Sequence, residues 1–92
     1  MTPEQIELAR HALGLPNKRR TSFRNYFVCC PGHRDYLNWS AMLTEGNANI
    51  SGSLIAGHGD YYFFLTQAGA EAALKAGEFL SIEDFRKSKR AR

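Results

Sequence analysis

Cys29, Cys30 and His33 are the residues of this chain with the most reactive side-chain chemistry in close spacing. A thiolate beside an imidazole base makes a nucleophile, and cysteines with a histidine make zinc ligands. The spacing argues against both. Two vicinal cysteines chelate one ion poorly, the Cys-x-x-Cys pattern is missing, and His11 and His58 stand alone in the sequence. No further residue is placed to orient His33 as a base, and Pro31-Gly32 reads as a turn. A disulfide between neighbours is strained. The pair is therefore expected to pack, one cysteine buried and the other partly exposed. There are no paired carboxylates with a histidine. Gly57 and Gly59 lack the lysine and following helix of a phosphate-cradling loop. The sequence thus predicts no catalytic residue, no metal site and no cofactor.

Charge offers a different chemistry. Residues 17–34 hold Lys18, Arg19, Arg20, Arg24 and Arg34 and no acid, interleaved with Phe23, Tyr26, Phe27 and Val28. Cations neutralise phosphates and aromatic rings stack on bases, so this mixture suits nucleic acid. The same stretch also reads as a loop whose aromatics enter the core while its arginines stay in water. A second basic run, Arg86, Lys87, Lys89, Arg90 and Arg92, closes the chain. Cations there also suit a helix C-terminus or a solvated tail. From residue 35 to 84, Lys75 alone faces Asp35, Glu45, Asp60, Glu71, Glu78, Glu83 and Asp84. The net charge of +3 therefore hides a segregation. Two basic segments joined by folding would form a patch with reach for an acidic partner.

The elements that would carry these residues are legible in part. Thr2, Pro3 and Gln5 form the capping signature of a helix over 1–14, with Ile6, Ala9 and Leu13 on its apolar face, Leu8 and Ala12 widening it, and Gly14 closing it. His11 lies on the flank of that face and reads as structural. Either a short helix from Thr21 or a strand through Phe27 fits the stretch, and the short helix running into a strand-like piece is the favoured expectation. Tyr36, Trp39 and Leu43, with Met42, put one apolar face on a helix over 35–45, and Gly46 stops it. Residues 48–51 read as a short strand anchored by Ile50, and Tyr61–Leu65 as an aromatic, half-buried strand. The glycine-rich stretch between them reads as a hairpin loop with Leu54 and Ile55 at an apolar tip. Thr66 is placed to cap a helix from Gln67, with Leu65, Ala68, Ala72 and Ala73 as a small-residue stripe. Gly69 costs that helix about 1 kcal/mol relative to alanine, which calls for a packing reason. Ser81 reads as the cap of a last helix through Ile82 and Phe85.

Two of these junctions resemble the winged-helix family. Tyr62-Phe63-Phe64-Leu65-Thr66-Gln67-Ala68-Gly69 is similar to the strand, Leu-Thr-x-x-Gly, helix junction at the end of the wing. Leu43-Thr44-Glu45-Gly46-Asn47-Ala48 resembles the turn before it. The whole chain, opening MTPEQIELARHALGLPN, also resembles small proteins encoded in phages and prophages that carry no assigned activity. The resemblance implies an α+β fold: a single winged-helix-like domain over 1–92, its helices joined to a two- or three-stranded antiparallel β-hairpin wing, with a flexible tail over 86–92. It fixes the function less, because such folds bind DNA, RNA or only protein. Departures matter too. The helix before the wing should carry base-reading side chains, yet residues 35–45 offer only Asn38, the wing loop has no Arg or Lys, and one strong helix precedes this one where the motif expects two.

The chain of 92 residues is long enough for one modest core, burying about 60–65% of its unfolded surface. No run of about 18 apolar residues exists, so no membrane span is expected. The capped opening helix is unlike a secretory signal, so a cytoplasmic location is expected. Two partner readings follow. One is a regulator-like phage protein that binds nucleic acid in a salt-dependent way through Lys18, Arg19, Arg20, Arg24, Arg34 and the tail. The other is a phage accessory protein that blocks or redirects a host protein complex, such as a defence nuclease, using Leu54, Ile55, Tyr61, Tyr62 and the basic patch. A homodimer through the terminal helices is a further expectation.

Overall fold

A computed structural model describes residues 1–50 and 61–81. Helix α1 (Pro3–Leu13) starts as its sequence predicts. Thr2 Oγ1 accepts the Gln5 N–H at 3.1 Å and Gln5 Oε1 accepts the Thr2 N–H at 3.0 Å, closing the capping box. Gly14 ends the helix with φ +82, and a Cβ there would clash with the Phe23 ring. Strand β1 (Phe27–Cys29), helix α2 (Tyr36–Thr44), strands β2 (Ala48–Ile50) and β3 (Tyr61–Leu65), and helix α3 (Gln67–Ala72) follow. Gly46, at φ +83, ends the turn out of α2.

The three strands form one antiparallel sheet in the order β1-β3-β2. Phe27 lies opposite Phe63 and Val28 opposite Tyr62; on the other side Ala48 lies opposite Leu65 and Asn49 opposite Phe64. Side chains alternate between the faces of a strand. Phe27, Cys29, Phe63, Leu65 and Ala48 therefore point to the face that packs on the helices. Trp39 from α2 stacks on Phe63 with ring centroids 5.6 Å apart and meets Phe27 at 5.3 Å. Leu13 from α1 and Met42 from α2 complete the set of largest fully buried side chains. The result is a helical layer on one side of a small sheet, an α+β architecture of the kind expected.

The α2–β2 and β3–α3 junctions touch each other. Thr66 Oγ1 accepts the Gly69 N–H at 3.1 Å, capping α3, and donates to the Gly46 carbonyl at 2.8 Å. The Thr66 N–H donates to the Asn47 carbonyl at 3.1 Å. A Cβ on Gly69 would land on that same carbonyl oxygen. The glycine in the first turn of α3 is there because the α2–β2 turn passes directly over it.

Several expectations are corrected. No helix opens at Thr21, which instead forms a parallel bridge with Phe79. The N–H groups of Ser22, Phe23 and Tyr26 donate to the carbonyls of Phe79, Leu13 and Ala12, so they are unavailable to a helix. The buried side of α1 is Gln5, Ala9, Arg10, Ala12 and Leu13, while Ile6 is half-buried. In α3, Ala68 and Ala72 are exposed and the buried small residues are Gly69 and Ala70, with Ala73 just beyond. In β2 the deepest residue is Ala48, ahead of Ile50. The loop tip at Leu54 and Ile55, the helix expected after Ser81, and the tail lie outside the described residues. Among the described residues, no helix is long and apolar enough to cross a membrane.

Candidate nucleic-acid interface

The stretch from Leu15 to Tyr26 is a strap that leaves the C-terminus of α1 and delivers the chain to edge strand β1. It has no helix of its own, so its shape depends on bonds to neighbours. Asn17 Nδ2 donates to the carbonyls of Gly14 and Thr21, closing the basic turn that carries Lys18, Arg19 and Arg20. Arg20 adopts φ +57 there. Buried Ser22 accepts the Ser81 N–H on its hydroxyl at 2.7 Å. Asn25 pairs with the Leu65 backbone in both directions, accepting its N–H at 2.8 Å and donating to its carbonyl at 3.0 Å. That amide extends the sheet by a side chain where β1 has not yet begun.

The aromatics of the strap do not all enter the core. Phe27, the next residue and the first of β1, packs against the core, but Phe23 is 62% exposed and Tyr26 51%. Tyr26 and Val28 share the outer face of the sheet with Tyr62, and the Tyr26 and Tyr62 rings meet edge to face at 6.3 Å. Tyr62 is 44% exposed. Phe64 and exposed Asn49 follow on the same face. Arg24 borders this surface. Its Nη2 donates to the His11 carbonyl at 2.8 Å, at the negative end of α1, and its guanidinium lies 5.2 Å from the centre of the Phe23 ring. One N–H is thus spent on the fold. His11, Arg24, Tyr26, Phe27 and Val28 line a shallow groove of about 230 Å³ along the edge of β1.

The other predicted residues separate into groups. Lys18, Arg19 and Arg20 are exposed. Arg20 flanks Phe79, which is 65% exposed and whose N–H donates to the Arg20 carbonyl at 2.8 Å. Arg34 lies elsewhere. It shares a groove with Glu4, Glu7, Leu8, Asp35 and Asn38, so the base-reading amide of α2 sits among carboxylates that repel phosphate. Tyr61 pairs with Cys29 and packs against the core from the inner face, which removes it from the exposed set. Leu54, Ile55, Arg86, Lys87, Lys89 and Arg90 lie outside the described residues. Cys29 is buried and Cys30 half-buried, as expected, and the Cys30 carbonyl accepts the His33 N–H in a turn at 2.9 Å. His33 Nδ1 accepts the Asp35 N–H at 3.0 Å, which fixes the ring at the start of α2.

Tyr26 and Val28 are surface residues that apolar character alone assigns to a core. Their signal is a register argument. An edge strand whose inward residues are Phe27 and Cys29 must send Tyr26 and Val28 outward. No protein-family model, no curated protein and no solved structure matches the chain.

Proposed function

We propose that this protein binds nucleic acid through the strap, as a small regulator-like protein of phage type without a catalytic role of its own. The observation that supports this most is the exposure of Phe23 and Tyr26 on a strap whose Lys18, Arg19 and Arg20 stay in water, with half-buried Arg24 between the two rings. Rings held at the surface beside arginines can stack on bases while the guanidinium groups neutralise phosphates. The winged-helix resemblance adds a fold that carries such functions, though docking by α2 is disfavoured by the carboxylates around Asn38.

The test is fluorescence anisotropy with a random duplex and a random single strand at about 50 and about 200 mM salt, where neutralising several phosphates makes affinity fall by orders of magnitude. Charge reversal by Arg19→Glu and Arg20→Glu should weaken binding further. Absence of binding at the lower salt refutes the proposal.

A second reading has its own observation. Leu37 on α2 is 78% exposed, which suits a protein partner better than a phosphate backbone. Under that reading the chain is an accessory protein that inhibits or redirects a host complex. Leu37→Asp would then abolish capture of that partner while leaving nucleic-acid binding unchanged.

A further inference from the structure

Resting on the nucleic-acid reading, we infer that the ligand is a single strand whose bases stack on Tyr26 and Tyr62 on the open face of the sheet, with Arg24 beside the phosphates. The argument starts from what lies on each face. The helices cover the inner face, and the outer face presents Tyr26, Val28, Tyr62, Phe64 and Asn49. Three strands spaced at about 4.8 Å make a surface about 10 Å across, wide enough for one nucleotide chain.

The two tyrosine rings are inclined at 70° to one another. They present faces in different directions, so they take two successive bases rather than sandwich one. A duplex keeps its bases stacked on each other and offers no free face to either ring, whereas a single strand splays its bases onto such a surface. A duplex reader needs a donor-bearing element for the groove, and α2 brings Asn38 among Glu4, Glu7 and Asp35 instead. Charge complementarity places the backbone. Arg24 stands in the groove beside Tyr26, and among the described residues only one of its N–H donors, on the His11 carbonyl, is engaged; the basic turn at Lys18, Arg19 and Arg20 lies upstream on the same strap. The bases carry the affinity that the cations cannot make specific for strandedness.

The experiment compares a random oligonucleotide of about 12 nucleotides, within the span of one such site, as a single strand and as a duplex. Binding of the wild type is measured beside Tyr26→Ala, Tyr62→Ala, their Phe counterparts and Arg19→Glu. The single strand should bind more tightly than the duplex. Each Ala variant should lose about 5- to 150-fold, the range for one stacked base, and each Phe variant should retain affinity because the ring remains. Photo-crosslinking of a bromouracil-substituted strand to the wild type removes any dependence on variant folding, and should mark Tyr26 or Tyr62. Equal binding of strand and duplex, with Tyr variants unaffected or with crosslinks only to the basic turn, overturns the single-strand inference and leaves nucleic-acid binding standing. Failure of both forms to bind overturns the nucleic-acid reading itself.

Discussion

The Arg10 guanidinium grips the Glu78 carboxylate with both prongs, Nη1 to Oε1 at 2.5 Å and Nη2 to Oε2 at 2.7 Å, across 68 residues of sequence. Nη1 also donates to the Ala73 carbonyl at 2.9 Å, and the Lys75 N–H donates to Glu78 Oε1 at 2.7 Å. The side chains are 4% and 8% exposed. The pair thus pins the last turn of α1 to the end of α3 and to the turn that follows it. Removing one partner leaves the other charge buried, which costs about 3–5 kcal/mol. Glu78→Gln should lower the free energy of unfolding by about that amount in urea denaturation, and a loss under about 1 kcal/mol, the usual worth of an exposed pair, would contradict the burial.

The same pair sets a pH dependence. The hydrogen bond from Arg10 holds the Glu78 carboxyl down at about 2, below its ordinary 4.5, against the opposing effect of burial. A carboxyl with a depressed folded-state pKa contributes stability above its unfolded-state pKa. That contribution shrinks as pH falls from about 4.5 towards about 2. The urea midpoint of the wild type should drop across that window, and the drop should be shallower in Glu78→Gln. Parallel curves for the two proteins would show that other carboxylates account for it.

Gly69→Ala should reverse the usual sign of such a change. In an open helix the added methyl stabilises by about 1 kcal/mol. Here it meets the Asn47 carbonyl, which belongs to backbone already bonded to Thr66. Overpacking of that kind costs about 1–3 kcal/mol. A lower melting temperature is the expected result, and a higher one would mean that the junction can open without loss.

Asn25→Asp tests the side chain that extends the sheet. The carboxylate keeps an acceptor for the Leu65 N–H but sets an oxygen against the Leu65 carbonyl, where the amide now donates. A loss of about 1–3 kcal/mol at neutral pH is expected. Protonation restores a donor, so the deficit relative to wild type should narrow in acid. A deficit independent of pH would rule out the second hydrogen bond.

The cations should separate in a salt titration. Lys18→Ala and Arg19→Ala should each reduce the slope of log affinity against log salt by about 1, as loss of one phosphate contact does. Arg34→Ala should leave the slope unchanged, because Arg34 lies among Glu4, Glu7 and Asp35. Equal effects from all three would point to a diffuse field instead of a defined strap.

Local signals were enough for the helix ends and for β3. The capping box at Thr2 and Gln5, the stops at Gly14 and Gly46 and the cap at Thr66 each depend on residues within a turn of one another, and each forms as read. Gly69 was recognisable as a residue needing a packing reason, though not that Asn47 supplies it. The failures are long-range. Nothing within a turn of Arg10 announces its burial; its partner Glu78 arrives from the far end of the described chain. The strap reads as a short helix until its N–H groups are claimed by Ala12, Leu13 and Phe79. Tyr61 and Tyr62 look equivalent in sequence, and only pairing with Cys29 and Val28 sorts one inward and the other outward. For the candidate site, the cations and the aromatics interleaved with them were visible, but not which rings stay at the surface, because exposure depends on strand pairing and packing.

The ties along the strap have a consequence for anything that docks there. Phe23 and Tyr26 donate backbone N–H groups to the last carbonyls of α1, Arg24 takes the His11 carbonyl, and Asn25 is locked to Leu65. The rings therefore stand on a mount whose backbone is already ordered before any ligand arrives. Association forfeits little chain entropy on the protein side, and the freedom given up belongs mostly to the ligand.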